Sequence, residues 1–453
     1  MILLVLLSFL WFYQGKKLNT LLVFFFFVTD GFQLVPEFLF SIGLPFKSPD
    51  YALLILVGIG FINFFLKKYS IFTALSKLDY MLMGLFLGTG LLSFFVYGIP
   101  LADILKTQRF YLLFFSVFLF TELEKDEFDR LKNILLFITL FQSVLFCIQT
   151  FTGLEILNGY AGGGVADLGG MFLHRFYNLP FFGIYMLFYV LFDHSLIRKN
   201  KIIYALILGL PIIFSLHRGL IIAMVFTFIL LVYLTGVTLE TKMKRVLLIA
   251  LFAIPVSDFL AGYLQKREGT SDILSVLNGD FKSIDYVEQL ADQTFLFRIA
   301  HLYERYEYLT TSSLKLLWGG GWMHERSSYT QNNFDFMIGL RHEDTDEIIQ
   351  IDTSDIAWSV LLIRLGIIGS IIYLIYMAFL IIKMLRHRSS LLAVASLGFL
   401  LVAFITTFTN IILVTPLYFT LLIADRVYLK KYYSYDKSPN NYSNSLLQSR
   451  PVY

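Results

Sequence analysis

Charge is scarce in this chain. Only 15% of its 453 residues are Asp, Glu, Lys or Arg, against 57% hydrophobic. A soluble domain carries about 25% charged residues, so an ordinary soluble protein is excluded. Cysteine is scarcer still. Cys147 is the single one, inside an apolar run, which leaves no intrachain disulfide and no thiolate metal site. The seven histidines are scattered and none forms a helical HxxxH pair, so no metal or cofactor is expected. There is no Walker loop, GGGW at 319–322 not being one, which removes an ATP-driven reading. No basic, aromatic nucleic-acid module is present, and no nucleic-acid partner is expected. The opening MILLVLLSFLWFYQGKK has no basic residue before its apolar core and no small-residue cleavage site. It reads as a span and not as a cleaved signal peptide. The short alternating segments of about ten residues that a β-barrel needs are missing too.

Long apolar runs are what the chain has instead. They reach spanning length repeatedly, at 1–14, 19–44, 51–66, 78–97, 103–121, 133–153, 176–193, 201–216, 219–236, 246–264, 356–382, 390–408 and 411–428. The fold class is therefore all-α, a polytopic transmembrane helical bundle of about 12 to 13 spans. Asp30, Gly31 and Pro36 inside the second run predict a break there. Lys and Arg cluster on alternate loops: Lys16/Lys17, Lys67/Lys68, Lys125/Arg130/Lys132, Arg198/Lys199/Lys201, Lys242/Lys244/Arg245 and Lys383/Arg386/Arg388. The opposite loops carry few, mainly Lys47, Arg175 and Arg218. The positive-inside rule makes the rich set cytoplasmic. Residues 1–264 then hold ten spans, 265–355 a large external loop, 356–428 the C-terminal spans and 429–453 a polar cytoplasmic tail expected to be disordered.

The external loop concentrates the chemistry. It holds an aromatic and basic segment, TFLFRIAHLYERYEYL, from Thr294 to Leu309, a glycine triplet at Gly319–Gly321, and an acidic run, EDTDEIIQIDTSD, ending at Asp355. Arg298, His301 and Arg305 share one stripe of an amphipathic helix. That stripe could face lipid headgroups, or bind an anion whose oxygens match guanidinium donors. Asp355 stands at the mouth of the following span, where a carboxylate could act as general base or cap the helix. The junction SLHRG, Ser215–Gly219, joins two spans almost without a loop. Arg218 there is a snorkelling anchor or a ligand group, with His217 as its neighbour. Lys106 and Arg109, three residues apart on one face of the fifth span, are further outer basic candidates. The stretch NGYAGGGVADLGGMFLHR, Asn158–Arg175, reads as a flexible glycine-rich outer loop, or as backbone that approaches a ligand.

These pieces, in this order, resemble the O-antigen ligase and O-antigen polymerase superfamily. The resemblance rests on the S-x-x-R-G junction at Ser215–Gly219, the Arg298-bearing helix of one large external insert and the glycine cluster at Gly319–Gly321. The string D-x-x-W-x-x-L-L-x-x-x-G-x-x-G from Asp355 to Gly369 completes it. It covers about Lys201 to Met384; earlier residues match only in being spans. It implies a C-type glycosyltransferase architecture in a bacterial inner membrane, multi-pass, with the insert periplasmic and the C-terminus inside. The implied donor is a glycan on undecaprenyl pyrophosphate, and the acceptor a second glycan or lipid A-core. Further implied partners are membrane lipids, a flippase and a chain-length regulator. Arg218 and Arg298 would hold the pyrophosphate without a metal, with Asp355 as base. His217, Lys106, Arg109, His301 and Arg305 would support substrate binding. Ligases of that family usually carry a His, often followed by Asn, where Asp355 stands, which favours a polymerase of O-antigen or capsule type. The single long insert is more ligase-like. A transporter or flippase is the rival of another class; such proteins place ionisable groups mid-membrane and show internal repeats, and no convincing repeat is present.

Overall fold

A computed structural model describes residues 1–42, 46–66, 75–159, 164–167, 172–193, 200–235, 276, 279, 294–341 and 347–433. The expected tenth span, the first part of the 265–355 insert (265–293 apart from Val276 and Gly279) and the polar tail beyond Tyr433 fall outside the described residues. The described chain is mostly helical, because lipid offers backbone groups no partner and a helix satisfies them internally. In the first half the helices are α1 (Ile2–Tyr13), α2 (Lys17–Val28), α3 (Ser48–Phe65), α4 (Lys77–Phe95), α5 (Leu101–Gln108), α6 (Val117–Phe120), α7 (Lys125–Thr152), α8 (Gly183–Phe192), α9 (Lys201–Phe214) and α10 (Arg218–Leu234). The 265–355 insert adds α11 (Thr294–Thr310), α12 (Ser313–Trp318) and α13 (Ser328–Asn333). The last helices are α14 (Ala357–Arg386), α15 (Leu391–Ile405) and α16 (Thr420–Tyr432). Four of these, α3, α4, α7 and α14, are long and apolar enough to cross a membrane; six more are apolar with 10–17 residues.

Several expected spans are shorter than their apolar runs, and the local causes are visible. The second run breaks where Asp30, Gly31 and Pro36 predict it. α2 stops at Val28, and Asp30, Gly31, Phe32 and Gln33 follow with φ of 50°, 68°, 55° and 57°. Left-handed backbone costs a non-glycine residue roughly 1–2 kcal/mol. Amide side chains offset it. The Gln33 side chain donates to Leu179 O at 3.1 Å and accepts from Phe181 N–H at 2.9 Å, while Gln142 donates to Phe32 O at 2.6 Å. The fifth run is α5, then a 3₁₀ stretch at Arg109–Phe115, then α6.

The break that matters most is in α14, whose thirty residues turn at Gly366 (φ 65°, ψ −168°). Counted from Lys383 at 1.5 Å per residue, Gly366 lies roughly 26 Å along the helix, a distance close to the thickness of a hydrocarbon core. Such a break frees carbonyls that need donors. The glycine triplet supplies them: Gly320 N–H donates to Ile363 O at 2.7 Å and Gly321 N–H to Arg364 O at 3.2 Å. α4 and the segment after it hold the triplet from the other side. The Tyr97 hydroxyl donates to Gly319 O at 2.7 Å, Trp322 N–H donates to Ser93 Oγ at 2.9 Å, and the Trp322 indole donates to Phe86 O at 3.2 Å. Trp322 is fully buried. A loop of the external insert is thus keyed edge-on into a broken helix.

One end of the bundle is closed by charge. Arg426 forks onto Asp79, Nη1 to Oδ1 at 2.7 Å and Nη2 to Oδ2 at 2.9 Å. Lys132 Nζ lies 2.5 Å from Asp425 Oδ1, and the Tyr185 and Ser396 hydroxyls both donate to Asp425 Oδ2 at 2.6 Å. All four charged groups are buried, which an apolar surrounding tolerates only for paired and hydrogen-bonded ions. Lys17 meets Glu122 at 2.6 Å and Lys431 donates to Leu123 O at 2.8 Å at the same end. Of the Lys- and Arg-rich clusters, Lys17, Lys132 and Lys383 lie at this end.

Candidate functional site

At the other end, the two-helix junction Ser215–Gly219 is built around a strained corner. Leu216 takes φ 53° and is buried, which turns the chain from α9 into α10. His217 then caps α10, its Nδ1 accepting the Leu220 N–H at 3.1 Å. With Nδ1 as acceptor, Nε2 carries the proton and donates to Thr409 O at 3.2 Å. Gly219 lets the helix start press on the same residue, since a Cβ there would lie 2.9 Å from Thr409 Oγ1. The 406–409 turn also accepts the first N–H of α14, from Ala357 to Thr407 O at 3.0 Å. Two helix N-termini, each with a positive dipole end, therefore meet on one four-residue turn. Trp358 lies beside it, its ring 6.0 Å from that of Phe408.

Arg298 reaches this mouth from α11, with its Nη2 3.8 Å from Asp355 Oδ2. Asp355 does not cap α14: the N-cap position is Ile356 and no side chain bonds the first turn. Its carboxylate is part-exposed at 32% and faces Arg298. A third arginine arrives from the glycine-rich outer segment. There Val165–Asp167 and Phe172–His174 pair as a short antiparallel hairpin. Arg175 follows it, fixed by its N–H to Gly164 O at 2.9 Å and by Nε to Ser215 O at 3.4 Å. His217 records the convergence. Burial holds its pKa below the usual imidazole range, and the positive charges of Arg298 and Arg175 push the same way. Two buried donors at the mouth, Arg298 Nε and Trp358 Nε1, meet no acceptor among the described residues. Buried donors in proteins are normally satisfied, so an acceptor-rich ligand suits them.

The rest of the α11 stripe is committed to the protein itself. Arg305 is fully buried and binds the carbonyls of Ile338 and, at 3.0 Å, Gln350. Phe336 packs under its guanidinium at 4.4 Å, and burial pushes its pKa down to about 10. Glu304 accepts the N–H groups of Met337 and Ile338 at 2.6 and 3.1 Å, and Glu325 those of Gln350, Ile351 and Asp352. These side chains give the irregular backbone of 334–341 and 347–352 partners that a strand or helix would provide. His301 is buried as well, its Nδ1 2.9 Å from Ser359 Oγ on α14. His301 ties α11 to α14 and Arg305 ties it to Ile338 and Gln350, so neither lines the open mouth.

Burial, with Arg305 adding repulsion, holds the His301 pKa well below its ordinary value of 6.5. An unfolded chain takes up a proton as pH falls through about 6.5, while folded His301 does not. The stability present above that pH therefore declines below it, towards the folded value. Thermal unfolding between about pH 7 and pH 5 should show a shallower decline in His301→Gln than in the parent. Equal slopes would mean that His301 carries none of the effect.

Lys106 and Arg109 belong to other groupings. Arg109 pairs with Asp50 at 2.7 Å and Lys106 with Asp103 at 3.5 Å. Lys106 also borders a mixed-charge patch with His324, Asp352 and Arg364. His324 has its pKa lowered by burial first and by Lys106 next. No group of three metal-ligating side chains occurs among the described residues.

Of the sequence candidates, the structure brings Arg298, Asp355, His217 and the start of α10 at Arg218 to one mouth. Sequence reasoning missed Arg175 and Trp358. Arg175 had a signal, being one of the few basic residues on an outer loop; Trp358 lay inside the Asp355–Gly369 string with no role attached. The chain matches no family model, no curated protein and no solved structure.

Proposed function

We propose that the protein is a membrane glycosyltransferase that extends polysaccharide of O-antigen or capsule type from a glycan carried on undecaprenyl pyrophosphate. The observation that supports the reading is the outer mouth: Arg298 facing Asp355 and Arg175 held on Ser215, near two helix N-termini that meet on the 406–409 turn, with Asp355 capping nothing. Guanidiniums offer forked donors matched to phosphate oxygens, and helix N-termini favour anions.

In this mechanism Arg298 and Arg218 hold the pyrophosphate. The acceptor hydroxyl oxygen attacks the anomeric carbon of the donor sugar, and its proton passes to the Asp355 carboxylate. The bond between the anomeric carbon and the pyrophosphate oxygen breaks, and its electron pair leaves with that oxygen. Negative charge then grows on the pyrophosphate beside Arg298, and positive charge placed there in advance lowers the barrier. His217, with both ring nitrogens bonded to backbone, positions the start of α10 and leaves the proton transfer to Asp355.

The test is the length profile of surface polysaccharide in a bacterium lacking the gene, with lipid-linked intermediates extracted in parallel. Single repeat units on the surface support the polymerase. Long polymer stranded on the carrier lipid would replace it with a ligase acting on lipid A-core. An unchanged profile with unchanged intermediates would overturn both. Movement of lipid-linked glycan across reconstituted vesicles without transfer would make the protein a transporter.

A further inference from the structure

We infer that Arg175 is a donor-binding residue of the mouth, whose terminal guanidinium nitrogens take a phosphate of the carrier pyrophosphate alongside Arg298. The inference rests on the functional reading above and adds a residue from a separate segment of the chain.

The placement is specific. Arg175 leaves a two-stranded hairpin and is tied at its own backbone to Gly164. Its Nε is spent on Ser215 O, in the same corner that carries His217 and Arg218. The Tyr177 ring, 5.1 Å from its guanidinium carbon, restricts the plane of the group. What remains is the pair of Nη nitrogens. They meet no acceptor among the described residues, and no described carboxylate lies within ion-pair distance of Arg175. An arginine clamped at Nε with its outer fork open is prepared for two-oxygen recognition of a phosphate.

Charge balance points the same way. Asp355 offsets Arg298 at 3.8 Å, so that pair alone presents little net charge to an anion. Arg175 adds to the positive charge that Arg218 brings to the mouth. When Asp355 accepts the acceptor proton, the mouth becomes more positive by one charge as the pyrophosphate leaving group gains one. A structural anchor would need only the Nε contact and would gain nothing from an open fork.

The experiment measures binding of farnesyl pyrophosphate, a short carrier analogue, to the purified full-length protein in detergent. Wild type is compared with Arg175→Ala, Arg175→Lys, Arg298→Ala and Lys106→Ala, each checked by thermal unfolding. A charge-assisted hydrogen bond contributes about 1.5–3 kcal/mol, so Arg175→Ala should weaken binding about 10- to 100-fold. Arg175→Lys should recover only part, since an ammonium lacks the fork. It also carries the test if the alanine variant does not fold. Lys106→Ala should bind like wild type. Arg175→Ala binding within about twofold of wild type while Arg298→Ala loses affinity would overturn the role of Arg175 and leave the functional reading standing. Wild type with no measurable affinity would overturn the pyrophosphate reading itself, and this inference with it.

Discussion

If the protein extends polysaccharide as proposed, Arg298→Glu and Arg218→Glu should each lower the output of long-chain glycan by about 10²–10³-fold, the effect of removing one preorganised donor from a developing anion, with the protein still in the membrane at its normal level. For Arg298 the reason is local. Its Nη2 lies 3.8 Å from Asp355, so a glutamate there sets two carboxylates against each other and against a phosphate. The anion would be repelled. For Arg218 the site is the first residue of α10, where an added negative charge complements the helix dipole. The helix therefore forms, and the loss reports on the mouth. Arg298→Lys keeps the charge without the fork and should fall between wild type and the reversal. The readouts are polysaccharide length in complemented deletion cells, membrane abundance and thermal unfolding. Normal chain length from both reversals would remove the two arginines from the mechanism.

Gly366→Val and Gly319→Ala each prevent accumulation of folded protein. A Cβ at Gly366 would lie 2.3 Å from Gly319 N and 2.6 Å from Leu317 C and O; one at Gly319 would lie 2.5 Å from Arg364 C and O. Every obstructing atom is backbone, so no rotamer change relieves the clash. Both positions also have positive φ, 65° and 77°, where a side chain adds roughly 1–2 kcal/mol of strain. Separating the two segments would strand the Ile363 and Arg364 carbonyls without the N–H groups of Gly320 and Gly321, at about 1–3 kcal/mol for each buried group. Together these costs take up a large share of a typical folding free energy. Gly84→Ala and Gly88→Ala are the controls: both lie in α4 with open space around them, and alanine there favours the helix by about 1 kcal/mol. Melting temperature in detergent separates the two sets. A Gly366→Val protein that melts like wild type would mean that the broken helix does not need its glycine key.

The break at Asp30–Pro36 was legible because glycine and proline punctuate apolar runs wherever they occur. The glycine triplet was equally visible, but its partner was not. Gly319 and Gly366 are far apart in sequence, and no periodicity links a loop to a helix break. The α11 stripe shows the same limit at finer scale. Arg298, His301 and Arg305 share a face by helical geometry, and sequence reasoning treats them alike. Ile338 and Gln350 separate them, claiming Arg305 through carbonyls 33 and 45 residues away. Arg175 was missed for the converse reason: its neighbours in sequence are glycine-rich, and only the hairpin carries it to Ser215.

The sequence by itself determined the membrane-helix class, because charge scarcity and repeated apolar runs leave the backbone no other way to satisfy itself in lipid. It also marked 265–355 as a polar interval, since a charged stretch of that length is too costly to bury in hydrocarbon. Only the tertiary structure decided which arginines face the mouth and which are consumed as struts. That choice depends on contacts between distant segments, on the 406–409 turn and across the break at Gly366, and local propensity carries no information about them.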